Sequence, residues 1–262
     1  IDSETSPVQE ILEQLRRHRP LTRDSLWGYL YLFFKMKVPN RCLCPGHCSP
    51  MDYLWHSYNA DFLQANTGDG DCVVWANRGG GKTQLAAAAT LLEGIFKPGC
   101  QTRLLAGSFD QAHRMYDYFT AFLQMGYETL IDGQLMSQYC RFINGSTVEV
   151  LPQSASAIRG RHIHKLRCDE IELFDPELYA AAQFVTRSEG ALRGAMEIFS
   201  TMHRPYGLMQ KVVRQAQEIE MPVFRWCMWE VIEPCPPERS CSRCPLWSDC
   251  GGKARKAAGY LS

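Results

Sequence analysis

The chain has 262 residues, is 45% hydrophobic, and carries 28 Lys plus Arg against 28 Asp plus Glu. That length allows one large α/β domain with an appendage, or two modest domains. Zero net charge excludes a global electrostatic pull toward nucleic acid or a membrane, so any DNA contact has to come from a local patch. The longest apolar stretch, 26–36, is interrupted by Gly28 and Lys35 and is too short to cross a bilayer. Twelve cysteines in a chain of this size, without a visible secretory signal, read as free or metal-bound thiols in a reducing cytoplasm.

In chain order, the pattern predicts helices over 8–18 and 25–36, punctuated by Pro20 and Thr22. A Cys/Pro/Gly turn over 39–50 and a third helix over 51–64 follow. From there strands and helices alternate: strand 72–76, helix 82–96, strand 103–107, helix 110–125. Asn144-Gly145 between two apolar runs predicts a hairpin at a sheet edge. Strand 162–168, helix 176–182, strand 195–201, helix 206–218 and strand 222–226 complete the series. Such alternation implies a parallel sheet with crossover helices. The expected fold class is α/β, a P-loop NTPase of the RecA/ASCE type with a parallel sheet flanked by helices. Residues 1–66 are expected to form an N-terminal helical segment, 67–230 the ATPase core, and 231–262 a Cys-rich metal-binding segment.

Asn77-Arg78-Gly79-Gly80-Gly81-Lys82-Thr83 lies between the first strand and its helix. Residues without a Cβ let backbone N–H groups turn toward an anion, and the helix N-terminus adds its partial positive charge. Lys82 is expected to reach the β- and γ-phosphates of ATP, and the Thr83 hydroxyl to bind Mg²⁺. Ala76 stands where the motif usually opens with glycine. Asp169 and Glu170 end a later strand, where the first acid would hold the Mg²⁺ shell and the second would polarise the attacking water. Arg78 places a fixed charge within reach of the γ-phosphate, where charge accumulates in the transition state. Arg161, His162, His164, Lys165 and Arg167, with Arg159, form a local basic run, read as a weak candidate for a DNA track.

Cys235, Cys241, Cys244 and Cys250 follow a Cys-x5-Cys-x2-Cys-x5-Cys order. Two sulfurs on a Cys-x-x-Cys turn face one ion, so the group is expected to bind a metal. Its spacing resembles the [4Fe–4S] sites of some DNA-processing enzymes, with structural Zn²⁺ as the alternative. Cys42, Cys44, His47 and Cys48 form a second, tighter group, read as a metal site, a turn with free thiols, or a contribution to the first site. Cys72, Cys100, Cys140, Cys168 and Cys227 are expected to be packing residues.

The ordered set of motifs resembles the ATPase domain of phage large terminases. The resemblance rests on the Arg-bearing phosphate loop, on Ala106-Gly107-Ser108 with Gln111-Ala112, and on Ile158-Arg159-Gly160 ahead of the acid strand. Ile198-Phe199-Ser200-Thr201 with Tyr206-Gly207 completes it. It implies ATP hydrolysis coupled to DNA translocation, with Ser200 and Thr201 in a coupling segment and Arg159 as a finger toward a neighbouring subunit. It also implies double-stranded DNA, a portal protein and a small terminase subunit as partners, a ring of five subunits, and a place in the host cytoplasm, transiently at the procapsid. The residues beyond Trp226 are too few for the family's nuclease, so no DNA cleavage is expected; Met202-His203 departs from the family's usual proline. A helicase-like or repair ATPase with a metal-cluster DNA-binding segment is the alternative, although a second RecA-like lobe would not fit after Trp226. A nucleotide-gated assembly module is a third reading.

Overall fold

The computed structural model describes residues 7–61, 70–154, 158, 163–201 and 205–259. Three helices come first: α1 (Pro7–Arg17), α2 (Arg23–Phe33) and α3 (Pro50–Asn59). Helix α2 starts where Thr22 and Ser25 cap each other reciprocally, and α3 starts at Ser49-Pro50 with Asp52 reaching back to the Ser49 N–H.

The alternating series follows as β1 (Cys72–Ala76), α4 (Lys82–Phe96), β2 (Gln101–Ala106), α5 (Phe109–Leu123), β3 (Tyr139–Arg141), β4 (Thr147–Val150) and β5 (Lys165–Asp169). Then come α6 (Pro176–Ala182), β6 (Ala195–Ser200), α7 (Leu208–Glu218) and β7 (Val223–Trp226). A single helical turn, α8 (Met228–Val231), leads into the cysteine-rich end.

The strands form one sheet in the order β3-β4-β2-β5-β6-β1-β7. All pairs are parallel except β3 with β4, which pair antiparallel around Asn144-Gly145 at the sheet edge, as the turn chemistry predicts. Strand β6 lies between β1 and β5, with Val73 opposite Ile198 and Cys168 opposite Ile198 on its other side. The tips of the phosphate-loop strand and the acid strand are therefore separated by the tip of β6.

Alternation along the strands sorts the apolar residues into two cores. Cys72, Val74, Ala76, Leu104 and Ala106 face one core, shared with α2, α3, α4 and α5. Val73, Leu105, Leu166, Cys168 and Ile198 face the other, shared with α6 and α7. Cys72, Cys100, Cys140 and Cys168 are buried packing residues, as expected.

One polar seam crosses the first core. Helix α4 lies along β5, and Arg167, fully buried, donates from Nη1 to Glu93 (2.6 Å) and Thr90 Oγ1 (3.0 Å). Its Nε donates to Glu197 on β6 (3.1 Å). Tyr53 and Ser57 of α3 also donate to Glu197, at 2.7 and 2.6 Å. One turn further, Lys97 pairs with Asp61 and with Glu93 (3.3 Å), and Lys165 pairs with Asp61 (3.0 Å). The cations Lys97, Lys165 and Arg167 thus face the carboxylates Asp61, Glu93 and Glu197. For the buried Arg167, desolvation alone would lower the pKa, but Glu197 and Glu93 outweigh it and hold the guanidinium charged.

The seam corrects the expectation of a basic DNA track. Arg167 is 0% exposed, Lys165 1% and His164 6%; their polar partners are protein groups, and the His164 ring accepts from the Gln101 N–H (3.0 Å). Arg159, Arg161 and His162 lie outside the described residues. Removing Arg167 would leave Glu197 buried without a cation and Glu93 with Lys97 alone, so Arg167→Ala is expected to cost ~3–5 kcal/mol of stability, read by urea unfolding.

Candidate nucleotide site

The chain leaves β1 at Ala76, loops through Asn77–Gly81, and enters α4 at Lys82. Gly79 and Gly81 have φ of 72° and 76°, the left-handed region that glycine reaches without steric cost. A Cβ on Gly80 would lie 2.8 Å from the Asn77 carbonyl oxygen and 3.1 Å from Trp226 Nε1. The Gly80 N–H closes the turn onto the Asn77 carbonyl (3.0 Å), and Trp226 Nε1 donates to the Gly80 carbonyl (2.8 Å). Lys82 is folded back, its Nζ donating to the carbonyls of Asn77 (3.2 Å) and Ala76 (3.4 Å). Burial lowers its pKa, against the opposing pull of Glu170 and Asp169.

The two acids stand directly across. Thr83 Oγ1 donates to Asp169 Oδ2 at 2.7 Å, so the helix that carries the loop touches the acid strand. Glu170 adopts φ 51° and ψ 53°, left-handed for a residue with a Cβ. That conformation turns the chain sharply after β5, and the Glu170 N–H donates to Asp169 Oδ1 (3.0 Å). Glu170 Oε2 lies 3.4 Å from the hydroxyl of Ser200 at the tip of β6; that hydroxyl also lies 3.0 Å from the Thr201 carbonyl. Two residues on, Glu172 accepts the Met209 N–H (2.8 Å) at the start of α7, so the acid turn and the helix after β6 are joined.

Beside the loop is a cavity of about 550 Å³, lined by Trp75, Ala76, Asn77, Arg78, Thr201, Arg225, Trp226, His47 and Cys227. Its size is in the range of small-molecule sites. Arg78 is exposed and faces it. The guanidinium of Arg225 sits 5.3 Å from the centre of the Trp75 ring and donates to the Gly46 carbonyl (3.1 Å).

Of the predicted residues, Asn77, Arg78 and Thr201 line this cavity, while direct contacts join Lys82 to Asn77, Thr83 to Asp169 and Glu170 to Ser200. Arg159 lies outside the described residues, as do Met202 and His203. Sequence reasoning missed Trp75, Arg225, Trp226 and His47 on the cavity wall and Glu172 as the cap of α7. A tryptophan closing a strand is the only signal that hinted at Trp226; the others are set by contacts between distant segments.

Cys235, Cys241, Cys244 and Cys250 line one small cavity of about 20 Å³ in the C-terminal segment, and Cys250 Sγ accepts the Ala254 N–H at 3.4 Å. Cys227 is not a packing residue: its Sγ lies 3.7 Å from Cys44 Sγ. Among the described residues, no helix is long and apolar enough to cross a membrane.

Burial raises the Asp169 carboxyl to about 6, with Glu170 adding to the rise and the Thr83 hydroxyl opposing it. An acid raised by folding holds its proton longer in the native state, so its ionisation costs stability as pH rises from about 4 through about 6. In the presence of a chelator, Asp169→Asn is expected to be more stable than wild type at pH 8 by ~1–3 kcal/mol and to lose that margin near pH 4, measured by urea unfolding at both pH values.

No family model and no curated protein matches the chain. Solved structures do. The large terminase of bacteriophage HK97 superposes with a TM-score of 0.56 at 15% identity, over 87% of this chain and 48% of that one. The large terminase of a thermophilic bacteriophage superposes with a TM-score of 0.50 at 12% identity, over 67% of this chain and 44% of that one. The chain thus shares the mixed α/β fold of these phage large terminases and spans less than half of their length.

Proposed function

We propose that this chain is the ATP-hydrolysing motor domain of a phage terminase large subunit, driving double-stranded DNA into a capsid. The observation that carries the reading is the 2.7 Å contact between Thr83 Oγ1 and Asp169 Oδ2, with Glu170 beside it. It supports a glycine-lined anion cradle working with a pair of acids across the tip of β6. The fold shared with the large terminases of HK97 and of the thermophilic phage supports the same reading.

The residues fit a magnesium–triphosphate. Two hard oxygen donors, the Thr83 hydroxyl and the Asp169 carboxylate, suit Mg²⁺, which keeps waters and phosphate oxygens as its remaining ligands. Bound there, Mg²⁺ supplies charge neutralisation across the β- and γ-phosphates. Backbone N–H groups of the loop, apart from the Gly80 N–H that closes its turn, and the start of α4 would hold the phosphates. Lys82, released from the Asn77 and Ala76 carbonyls, extends along them, and Arg78 faces the γ end. Glu170 accepts the proton of the attacking water, oriented by its fixed turn.

Ser200 touches Glu170, and Glu172 caps the helix that follows Ser200 and Thr201, so a change at the acid turn shifts α7 directly. This is the coupling segment in the proposed motor. Double-stranded DNA, a portal, a small terminase subunit, a five-membered ring and a working place in the host cytoplasm belong to the same proposal. The cysteine group at 235, 241, 244 and 250 belongs to it as a metal site, a [4Fe–4S] cluster with structural Zn²⁺ as the alternative; four thiols on one cavity support it.

Glu170→Gln is expected to bind Mg²⁺-ATP with unchanged affinity and to lose ~10²- to 10⁴-fold in turnover, read by nucleotide titration and phosphate release. Lys82→Ala is expected to lose both. Turnover within a few-fold of wild type in Glu170→Gln, or no nucleotide binding by the wild-type chain, would sink the assignment. Anaerobic purification distinguishes the metals: a brown protein with visible absorption holds the cluster, and a colourless one with zinc at the cysteine group does not.

A further inference from the structure

Beyond the nucleotide site, one cluster of ligand atoms is built from two distant parts of the chain. Cys44 and His47 come from the turn between α2 and α3; Cys227 and Glu230 come from the end of β7 and the single turn α8. Cys44 Sγ and Cys227 Sγ are 3.7 Å apart, His47 Nδ1 and Glu230 Oε1 are 3.2 Å apart, and all four atoms lie within 4.8 Å of one another.

We propose that Cys44 Sγ, His47 Nδ1, Cys227 Sγ and Glu230 Oε1 bind one tetrahedral divalent metal ion, Zn²⁺ by the chemistry of the set, that clamps the turn over 39–50 to the strand beside the phosphate loop.

The two measured edges carry the geometry. Zinc bonds of about 2.3 Å to sulfur and about 2.0–2.2 Å to nitrogen or oxygen give tetrahedral edges of about 3.8 Å between sulfurs and about 3.3–3.5 Å between nitrogen and oxygen. The observed 3.7 and 3.2 Å fit both. A disulfide would need the sulfurs at about 2.05 Å. The sequence pairs short spacings twice, Cys44-x2-His47 and Cys227-x2-Glu230, so each segment offers two ligands to one ion from a single turn.

Surrounding contacts hold the ligands in place. Glu230, with no side-chain exposure, accepts the Cys227 N–H on Oε2 (2.9 Å) and the Cys44 N–H on Oε1 (2.9 Å). These backbone donors fix the carboxylate plane, as outer contacts do at metal centres. Four protein ligands leave no open position, which makes the site structural. Loading releases the two thiol protons to solvent. The clamped segments also meet at Cys48 N–H to the Arg225 carbonyl (2.7 Å), next to the Trp226 that holds Gly80. The ion would therefore stiffen the cavity wall, to which His47 and Cys227 belong.

The test uses the full chain and counts metal, so it is independent of ATP turnover. After zinc loading and gel filtration, the wild-type chain is expected to hold one equivalent of zinc more than Cys227→Ser and more than the partly exposed His47→Ala, whatever the group at 235–250 holds. An equal zinc count in all three would overturn the proposal. Should the variants not fold, alkylation of the zinc-loaded wild-type chain decides the question. N-ethylmaleimide should modify Cys44 and Cys227 slowly before chelation and at least tenfold faster after it, scored by peptide mass spectrometry. Equal rates before and after chelation would overturn the proposal.

Discussion

The structure depends on the lie of helix α4 along strand β5. The helix begins at the phosphate loop and the strand ends at the acid pair, so whatever fixes one against the other also fixes the site. Three polar contacts do this in succession: Thr83 with Asp169, Thr90 and Glu93 with Arg167, and Lys97 with Lys165 through Asp61. Burying charges is unfavourable unless each is paired and hydrogen-bonded, and here every carboxylate of the seam meets a cation. A helix that slid by one residue would separate them. The seam thus sets register where apolar packing of Ala86–Ala89 would tolerate a slip.

A second constraint acts from the other side of the loop. Trp226 holds the Gly80 carbonyl, Arg225 lies over Trp75, and the turn over 39–50 is bonded twice to Arg225, through the Gly46 carbonyl and the Cys48 N–H. Helices α2 and α3 share the core of α4 and α5, while their connecting turn adds His47 to the cavity wall. Between the two constraints stands the tip of β6. Ser200 there meets Glu170, and Glu172 holds the helix that β6 feeds. In the proposed motor, a site with one rigid side, a held loop and a linked third element would register a γ-phosphate and pass its presence on through α7.

The motifs whose function lies in local backbone geometry were legible in sequence. Gly79 and Gly81 take the left-handed φ that the loop requires, Asn144-Gly145 makes its hairpin, and β1, α4 and α6 have the bounds that apolar period and capping residues imply. The acid pair was legible as the end of a strand, and β5 does close at Asp169. His164, Lys165 and Arg167 were misread because charge in a sequence suggests solvent, whereas Asp61, Glu93 and Glu197 neutralise Lys165 and Arg167 in the interior and the His164 ring accepts the Gln101 N–H. Cys227 was misread because an isolated thiol at a strand end has no visible partner until the chain folds it against Cys44.

The sequence by itself determined the elements, the phosphate loop and the two acids, since each follows from short-range periodicity, turn chemistry and capping. Only the tertiary structure decided that β6 comes between β1 and β5, that Thr83 reaches Asp169, and that Cys44, His47, Cys227 and Glu230 converge. Those facts are contacts between residues far apart along the chain. No local pattern encodes them, because they arise from the joint minimum of burial, strand pairing and charge compensation over the whole chain.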